Sequence, residues 1–94
     1  TGPAGSTTAQ GCSELSDGRI VVSWAGGTAD YLYLYSSTLT APTILVNNNQ
    51  SLLSNPFGVG VNEEDEIFVA DGTRNVIVKF DSSGNVIKEF GNSI

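Results

Sequence analysis

The feature that most constrains this chain is a series of four short apolar segments separated by three polar breaks, within residues 55–91. The segments are rich in β-branched and aromatic residues, whereas the breaks carry Asp, Asn, Gly and Ser. The first group favours strands, and the second supplies the backbone geometries that tight turns need. The stretch therefore predicts an antiparallel four-stranded meander, with strands at residues 57–61, 66–70, 75–80 and 85–90.

An earlier stretch repeats this organisation, with predicted strands at residues 11–15, 19–24, 30–36 and 43–46. An offset of 47 residues places Gly11 on Gly58 and Ile20 on Ile67, and two extra residues after Trp24 keep the later strands in step. Such self-similarity indicates an internal repeat. The predicted fold class is all-β, with two four-stranded antiparallel meanders, which we call blades.

The chain is long enough for one small domain, since it has 94 residues. The first residues lack large apolar side chains and are rich in Gly, Ser and Thr, which is typical of a tail, although they could also add a strand to a neighbouring sheet edge. The predicted organisation is an N-terminal tail or added strand at 1–10, a diverged blade 1 at 11–49 and blade 2 at 50–94.

Blade 2 carries Pro-Phe-Gly at 56–58, Val-Ala-Asp at 69–71, Asn75, Phe-Asp at 80–81, Gly84 and Phe-Gly at 90–91. With these motifs it resembles an NHL repeat. Two features depart from the family pattern: a glycine at position 60, where a residue such as Ala is usual, and a shortened turn at 72–74. The resemblance implies that the two meanders are blades of propeller type, completed by other copies or by missing blades, and that ligands bind at the mouth of a central channel.

Two blades leave apolar surface uncovered. Residues 20–22 and 76–78 are apolar at consecutive positions, as in strands covered on both sides. We therefore expect self-association, as a trimer of two-blade chains or as an open filament, unless the missing blades belong to a longer chain. Val22 and Val78 are expected on the outer faces, where aspartate would disrupt both assembly and fold.

The candidate binding residues are Trp24, Asp71 and Arg74, which the meander places in loops at the end where propellers of this resemblance bind ligands. They would form an aromatic platform with a charged pair, for a protein or glycan ligand. The alternative is structural: Trp24 packs between blades and Asp71 caps its own turn. Residues 31, 33 and 35 put three tyrosines on one strand face, which could stack sugars but is more typical of a core or interface.

No catalytic, cofactor or metal site is predicted. The chain has no His, so the commonest general base and zinc ligand is absent, together with Ser-His and Cys-His arrangements. The acidic residues 63–66 could gather calcium, but a solvated turn is the preferred interpretation. Residues 81–85 are interpreted as a hairpin turn.

A net charge of -6 disfavours binding to nucleic acid and anionic membranes, and no apolar run is long enough for membrane insertion. The abundance of Ser, Thr, Asn and Gly suggests an extracellular or cell-surface location. Asn49 begins a glycosylation sequon, Asn-Gln-Ser. Cys12 is the single cysteine and is expected to be a small buried hydrophobe, or else to form an intermolecular bond.

The first functional hypothesis is a non-catalytic assembly and recognition module. The alternatives are a structural subunit that polymerises into an extracellular filament, and a fragment of a larger propeller enzyme, lactonase-like or lyase-like. Because the sequence contains no Met, we expect its start to arise from processing or from truncation of a longer chain.

Overall fold

The computed structural model describes residues 8–26, 29–40, 42–49 and 51–91, and these form two four-stranded sheets. Sheet 1 contains β1 (Thr8–Glu14), β2 (Ile20–Ala25), β3 (Tyr31–Tyr35) and β4 (Thr43–Asn47). Sheet 2 contains β5 (Pro56–Val61), β6 (Ile67–Asp71), β7 (Val76–Phe80) and β8 (Val86–Gly91). Both sheets follow chain order with antiparallel neighbours, which confirms the predicted all-β class and two meanders.

The turns have the chemistry that the sequence predicts. In the turn between β7 and β8, the Asp81 Oδ1 atom accepts hydrogen bonds from the backbone N–H groups of Ser83 and Asn85, both at 2.9 Å. Gly84 has a φ of 91°, in the left-handed region that glycine adopts without steric cost. This turn is the predicted hairpin. The first seven residues of the predicted tail lie outside the described residues, and β1 begins at Thr8.

The two sheets share one register. Val22 on β2 pairs with Tyr33 on β3, and Val69 on β6 pairs with Val78 on β7. These pairs are related by offsets of 47 residues between β2 and β6 and of 45 residues between β3 and β7, as the strand bounds require. Positions in the first three strands of sheet 1 therefore have equivalents on a defined face of sheet 2.

The sheets pack together through one face each. The buried hydrophobic cluster between them contains Leu15, Val21, Leu32, Leu34, Val46, Leu53, Ile67, Val69, Val78 and Phe80. The alternation of side chains in strands leaves the neighbouring positions on the opposite, outer faces. Val78 is completely buried in this cluster, so the expectation that it lies on an outer face is wrong. Val22, in contrast, lies on the outer face of sheet 1.

Backbone groups of the two sheets approach closely where β5 packs beside β1 and β2. The Ser23 hydroxyl donates a hydrogen bond to the Phe57 carbonyl oxygen at 3.0 Å. At another point, the Asp65 carboxylate accepts hydrogen bonds from the Ser16 backbone N–H at 2.8 Å and from the Ser16 hydroxyl at 2.6 Å. These contacts fix the two sheets relative to each other in addition to the apolar core.

Gly11 lies at the closest approach, and its replacement by alanine tests the packing. A Cβ atom there would lie 2.5 Å from the Phe57 carbonyl oxygen and 3.1 Å from the Gly58 Cα atom, both backbone atoms. We expect Gly11→Ala to lower the free energy of unfolding by about 1 to 3 kcal/mol, because the sheets must move apart. Urea denaturation followed by circular dichroism measures the change.

The matched control is Gly60→Ala on β5, where a Cβ atom would meet no other atom within 4 Å. This variant should be as stable as the unmodified chain or more stable by up to about 1 kcal/mol, since alanine restricts the unfolded state. Equal stability of the two variants would contradict the close packing at Gly11.

Candidate recognition site

The outer face of sheet 1 is a continuous aromatic and aliphatic surface, which we call the tyrosine face. It is formed by Ile20, Val22, Trp24, Tyr31, Tyr33 and Tyr35. The three tyrosines follow one another along β3, with ring centroids 5.6 Å apart for the first pair and 5.9 Å for the second. The rings lie edge to face or tilted, geometries that aromatic pairs prefer. Tyr33 and Tyr35 are buried on this face, although no second sheet of the described chain lies on it.

A groove of about 610 Å³ runs along the tyrosine face beside β1. Its lining includes Cys12, Ile20, Val22, Trp24, Tyr35 and Leu39. The Cys12 side chain is free and exposed, which contradicts the expected burial of this residue within the chain. Leu39 is 59% exposed at the rim. The groove therefore exposes apolar surface and a single thiol to solvent or to a binding partner.

The indole of Trp24 adds a polar atom to this surface. Its Nε1 atom is buried. The indole lies beside the Tyr35 hydroxyl, whose pKa is raised by burial and lowered by the indole. Trp24 thus belongs to the tyrosine face and does not pack between the two sheets.

Burial raises the pKa of the Tyr33 and Tyr35 hydroxyls above their usual value, and neighbouring tyrosines raise that of Tyr33 further. The unfolded chain therefore loses these protons first as the pH rises, so the stability conferred by the neutral hydroxyls is lost above about pH 10. We expect the melting temperature to fall with rising pH in that range. Ultraviolet absorbance of tyrosinate should show a late component of the titration.

The control for this prediction is Tyr33→Phe, which removes one perturbed hydroxyl while keeping the ring. The late component of the titration should shrink in this variant, and the melting temperature should depend less on pH. Titration of every tyrosine at the ordinary value in the unmodified chain would contradict the burial of this face.

Asp71, a predicted binding residue, has a structural role at the end of β6. Its carboxylate is buried and accepts hydrogen bonds from the backbone N–H groups of Ser54, Asn55, Thr73 and Arg74, at 2.6 to 3.2 Å. The side chain therefore caps its own turn, the alternative that the sequence left open, and also holds the segment that leads into β5.

Arg74, the third predicted residue, is also engaged within the chain. One guanidinium nitrogen donates to the Leu52 carbonyl oxygen at 2.7 Å, and another forms an ion pair with Glu89 at 2.8 Å. The Arg74 backbone N–H donates a hydrogen bond to the Asp71 carboxylate, so these two predicted residues lie together. Trp24 lies separately, in the tyrosine face. Their joint role in binding a ligand stays a prediction.

The outer face of sheet 2 carries two lysines among its apolar residues and glycines. It contains Gly58, Gly60, Phe68, Ala70, Ile77, Lys79, Lys88 and Phe90, and we call it the glycine face. Ile77 and Phe90 are 45% and 38% exposed. The Lys79 ammonium lies 5.6 Å from the Phe68 ring centroid and 3.1 Å from the Glu66 carboxylate. Apolar side chains are therefore exposed on the glycine face as well as at the rim of the groove beside β1.

The acidic turn that the sequence offered as a possible calcium site makes hydrogen bonds within the chain. In the acidic turn, the Asn62 side chain accepts hydrogen bonds from the Glu64 and Glu66 backbone N–H groups, and Asp65 binds Ser16. Within the described residues, no group of His, Cys, Asp or Glu side chains could hold a metal ion. None of those residues forms a helix long and apolar enough to cross a membrane.

Asn49 lies at the surface between β4 and β5, as a glycosylation acceptor requires. Its side-chain oxygen accepts hydrogen bonds from the Ser51 backbone N–H at 3.2 Å and from the Ser51 hydroxyl at 2.7 Å. The middle residue of the sequon lies outside the described residues. Modification of Asn49 stays a prediction.

Comparison with known proteins finds no matching family model, no matching curated protein and no matching solved structure. The resemblance of blade 2 to an NHL repeat therefore stays an interpretation of its motifs.

Proposed function

We propose that this chain is a non-catalytic, β-propeller-type assembly and recognition module that acts outside the cell or at its surface. The observation that carries the proposal is the tyrosine face, an aromatic surface with an exposed groove on the side of sheet 1 opposite the core. Its groove leaves Cys12 and Leu39 exposed, and Ile77 and Phe90 are exposed on the opposite side of the molecule. Exposed apolar groups that cluster on a surface mark interaction sites, and self-association is the simplest way to cover them.

The propeller interpretation is supported by the arrangement of the two meanders as successive packed units. Each sheet takes its four strands from consecutive segments of the chain, as the blades of a propeller do. The NHL-like motifs of blade 2 agree with this interpretation. In a ring of three copies, six blades would enclose a channel, and loops from every copy would surround its mouth.

The recognition part of the proposal concerns the residues predicted from the sequence: Trp24 within β2, Asp71 at the end of β6 and Arg74 in the turn that follows. Because Asp71 and Arg74 order their own loops, their contribution to a protein or glycan ligand would be to hold the loop backbone in place. The non-catalytic part rests on the absence of His from the sequence.

Light scattering behind a sizing column tests the assembly, with the protein loaded over a range of concentrations. The chain has a mass of 9.8 kDa, so a three-copy ring would appear at three times that value. A folded monomer at every concentration would contradict the proposal. Circular dichroism of the same fractions establishes that the chain is folded.

A filament is the second candidate function, and the exposed strand β8 favours it. Each of its residues is exposed, including Val86 and Ile87 at 46% and 47%. An uncovered edge strand with apolar side chains can pair with another chain. Electron microscopy of the material in the void volume distinguishes the candidates, since regular fibres would indicate polymerisation and closed particles would indicate rings.

A further inference from the structure

We infer that a second copy of this chain covers the tyrosine face with its glycine face, so that the contact between copies repeats the contact between the two sheets of one chain. This inference rests on the proposed self-association and specifies its interface. It follows from the register of the sheets, from one glycine and from the charges at equivalent positions.

The first argument is that the sheets pack with unlike faces. Sheet 2 buries the face that carries Val69 and Val78. The equivalent positions of sheet 1 are Val22 and Tyr33, which lie on its outer face. Sheet 1 instead buries the face whose equivalent in sheet 2 is the glycine face. The two outer faces, the tyrosine face and the glycine face, are therefore equivalent to the two faces that already pack together within the chain.

Contact between unlike faces is heterologous, and such a contact can be repeated indefinitely from copy to copy. The tyrosine face is equivalent, through the repeat, to the buried face of sheet 2. The glycine face is equivalent to the buried face of sheet 1. Contact between the tyrosine face of one copy and the glycine face of the next would therefore repeat the contact within the chain. A second copy thus offers a face equivalent to one that already packs between the two sheets of each chain.

The second argument is the glycine at position 58. Its equivalent, Gly11, has no room for a Cβ atom because the backbone of Phe57 and Gly58 lies against it. A Cβ atom at Gly58 would meet no atom within 4 Å, so the isolated chain gives no packing reason for this glycine. A second copy packed as inferred would bring the backbone of its β1 against Gly58 and would supply that reason.

Charged residues of opposite sign lie on the two outer faces. Leu34 belongs to the cluster between the sheets and Val61 packs against it, and their equivalents on the outer faces are Lys79, which pairs with Glu66 at 3.1 Å, and Glu14. The inferred contact therefore places a lysine on one side of the interface and a glutamate on the other. Opposite charges across an interface favour the correct partner and register.

The decisive variant is Gly58→Ala, and its matched control is Gly60→Ala. Both positions tolerate a Cβ atom in the isolated chain. The equivalent of Gly60 on the packed face of sheet 1 is Ser13, which carries a Cβ atom, whereas the equivalent of Gly58 is Gly11. We expect Gly58→Ala to weaken association at least about tenfold, as measured by sedimentation equilibrium, and Gly60→Ala to leave it unchanged.

Cys12 provides a second readout, because it is the single cysteine and lines the groove on the tyrosine face. Its equivalent, Val59, packs against the cluster between the sheets. The rate at which a maleimide modifies Cys12 should fall as the concentration of the unmodified chain or of Gly60→Ala rises. It should stay constant for Gly58→Ala.

The outcomes separate the inference from the proposed function. A monomeric unmodified chain with constant Cys12 reactivity would overturn both. An assembly that survives Gly58→Ala and leaves Cys12 reactive would overturn the inferred interface and leave self-association standing. If Gly58→Ala fails to fold, Ile77→Asp on the exposed glycine face replaces it and should give a folded monomer with reactive Cys12.

Discussion

Replacement of Val78 by aspartate should unfold most of the protein at neutral pH. Val78 lies on β7, pairs with Val69 on β6 and is completely buried between the sheets. An unpaired carboxylate there has neither water nor a cation to stabilise its charge, and the loss should be about 4 kcal/mol or more, which is a large part of the stability of a small domain. Thermal denaturation followed by circular dichroism measures it. Part of the loss should be recovered at acidic pH, where the introduced carboxyl group is neutral.

The matched control is Ile77→Asp, one residue earlier on β7. The side chain of Ile77 points to the opposite face and is 45% exposed, so a carboxylate at this position stays hydrated. We expect the fold to be retained in this variant. Similar melting temperatures for the two variants would mean that the faces of sheet 2 are assigned incorrectly.

Asp71→Ala should give the second large loss, about 3 kcal/mol, because several backbone N–H groups lose their charged acceptor together. The carboxylate holds residues 54 and 55 before β5 and residues 73 and 74 after β6, so its removal loosens two segments. Urea denaturation measures the change, and hydrogen exchange of the same four amides should accelerate. Asp71→Asn keeps one acceptor oxygen and should lose less.

Asp81→Ala is the control for this prediction. Asp81 also accepts hydrogen bonds from backbone N–H groups, but it caps one exposed hairpin turn, where water can replace the carboxylate. Its removal should destabilise the protein less than that of Asp71. If Asp71→Ala were as mild as Asp81→Ala, Asp71 would be available for a ligand as the sequence predicts.

The sequence was sufficient to predict the strands and turns because their signals are local. Each strand is a short run of β-branched and aromatic residues, and each turn carries a residue that caps it or adopts a positive φ, such as Asp81 or Gly84. The register of a meander then follows from short connections. These features do not depend on what the sheets pack against.

The sequence could not predict which face of each sheet turns inward. Residues 20–22 and 76–78 are apolar at consecutive positions, so alternation gives no preference between the faces. Val78 was misplaced for this reason. The choice depends on contacts between distant segments, such as the approach of Gly11 to Phe57, which no local pattern contains.

The functional residues were harder to predict for a related reason. The sequence does not distinguish a charged loop residue that binds a ligand from one that binds backbone N–H groups. Asp71 caps two segments because the chain before β5 lies beside the end of β6, a contact between segments that are distant in sequence. The groove beside Cys12 likewise depends on the face of sheet 1 that stays uncovered. The strict alternation of Tyr and Leu along β3 was the available signal for that face.

Because neither sheet borrows a strand from the other, the connection between β4 and β5 joins two units that are complete in their strand pairing. A cut in this connection would break no strand pairing, so the halves should complement each other as separate polypeptides. The peptide link then acts mainly as a tether that raises the effective concentration of one half near the other. Reconstitution from two fragments would measure directly how strongly one blade holds the next.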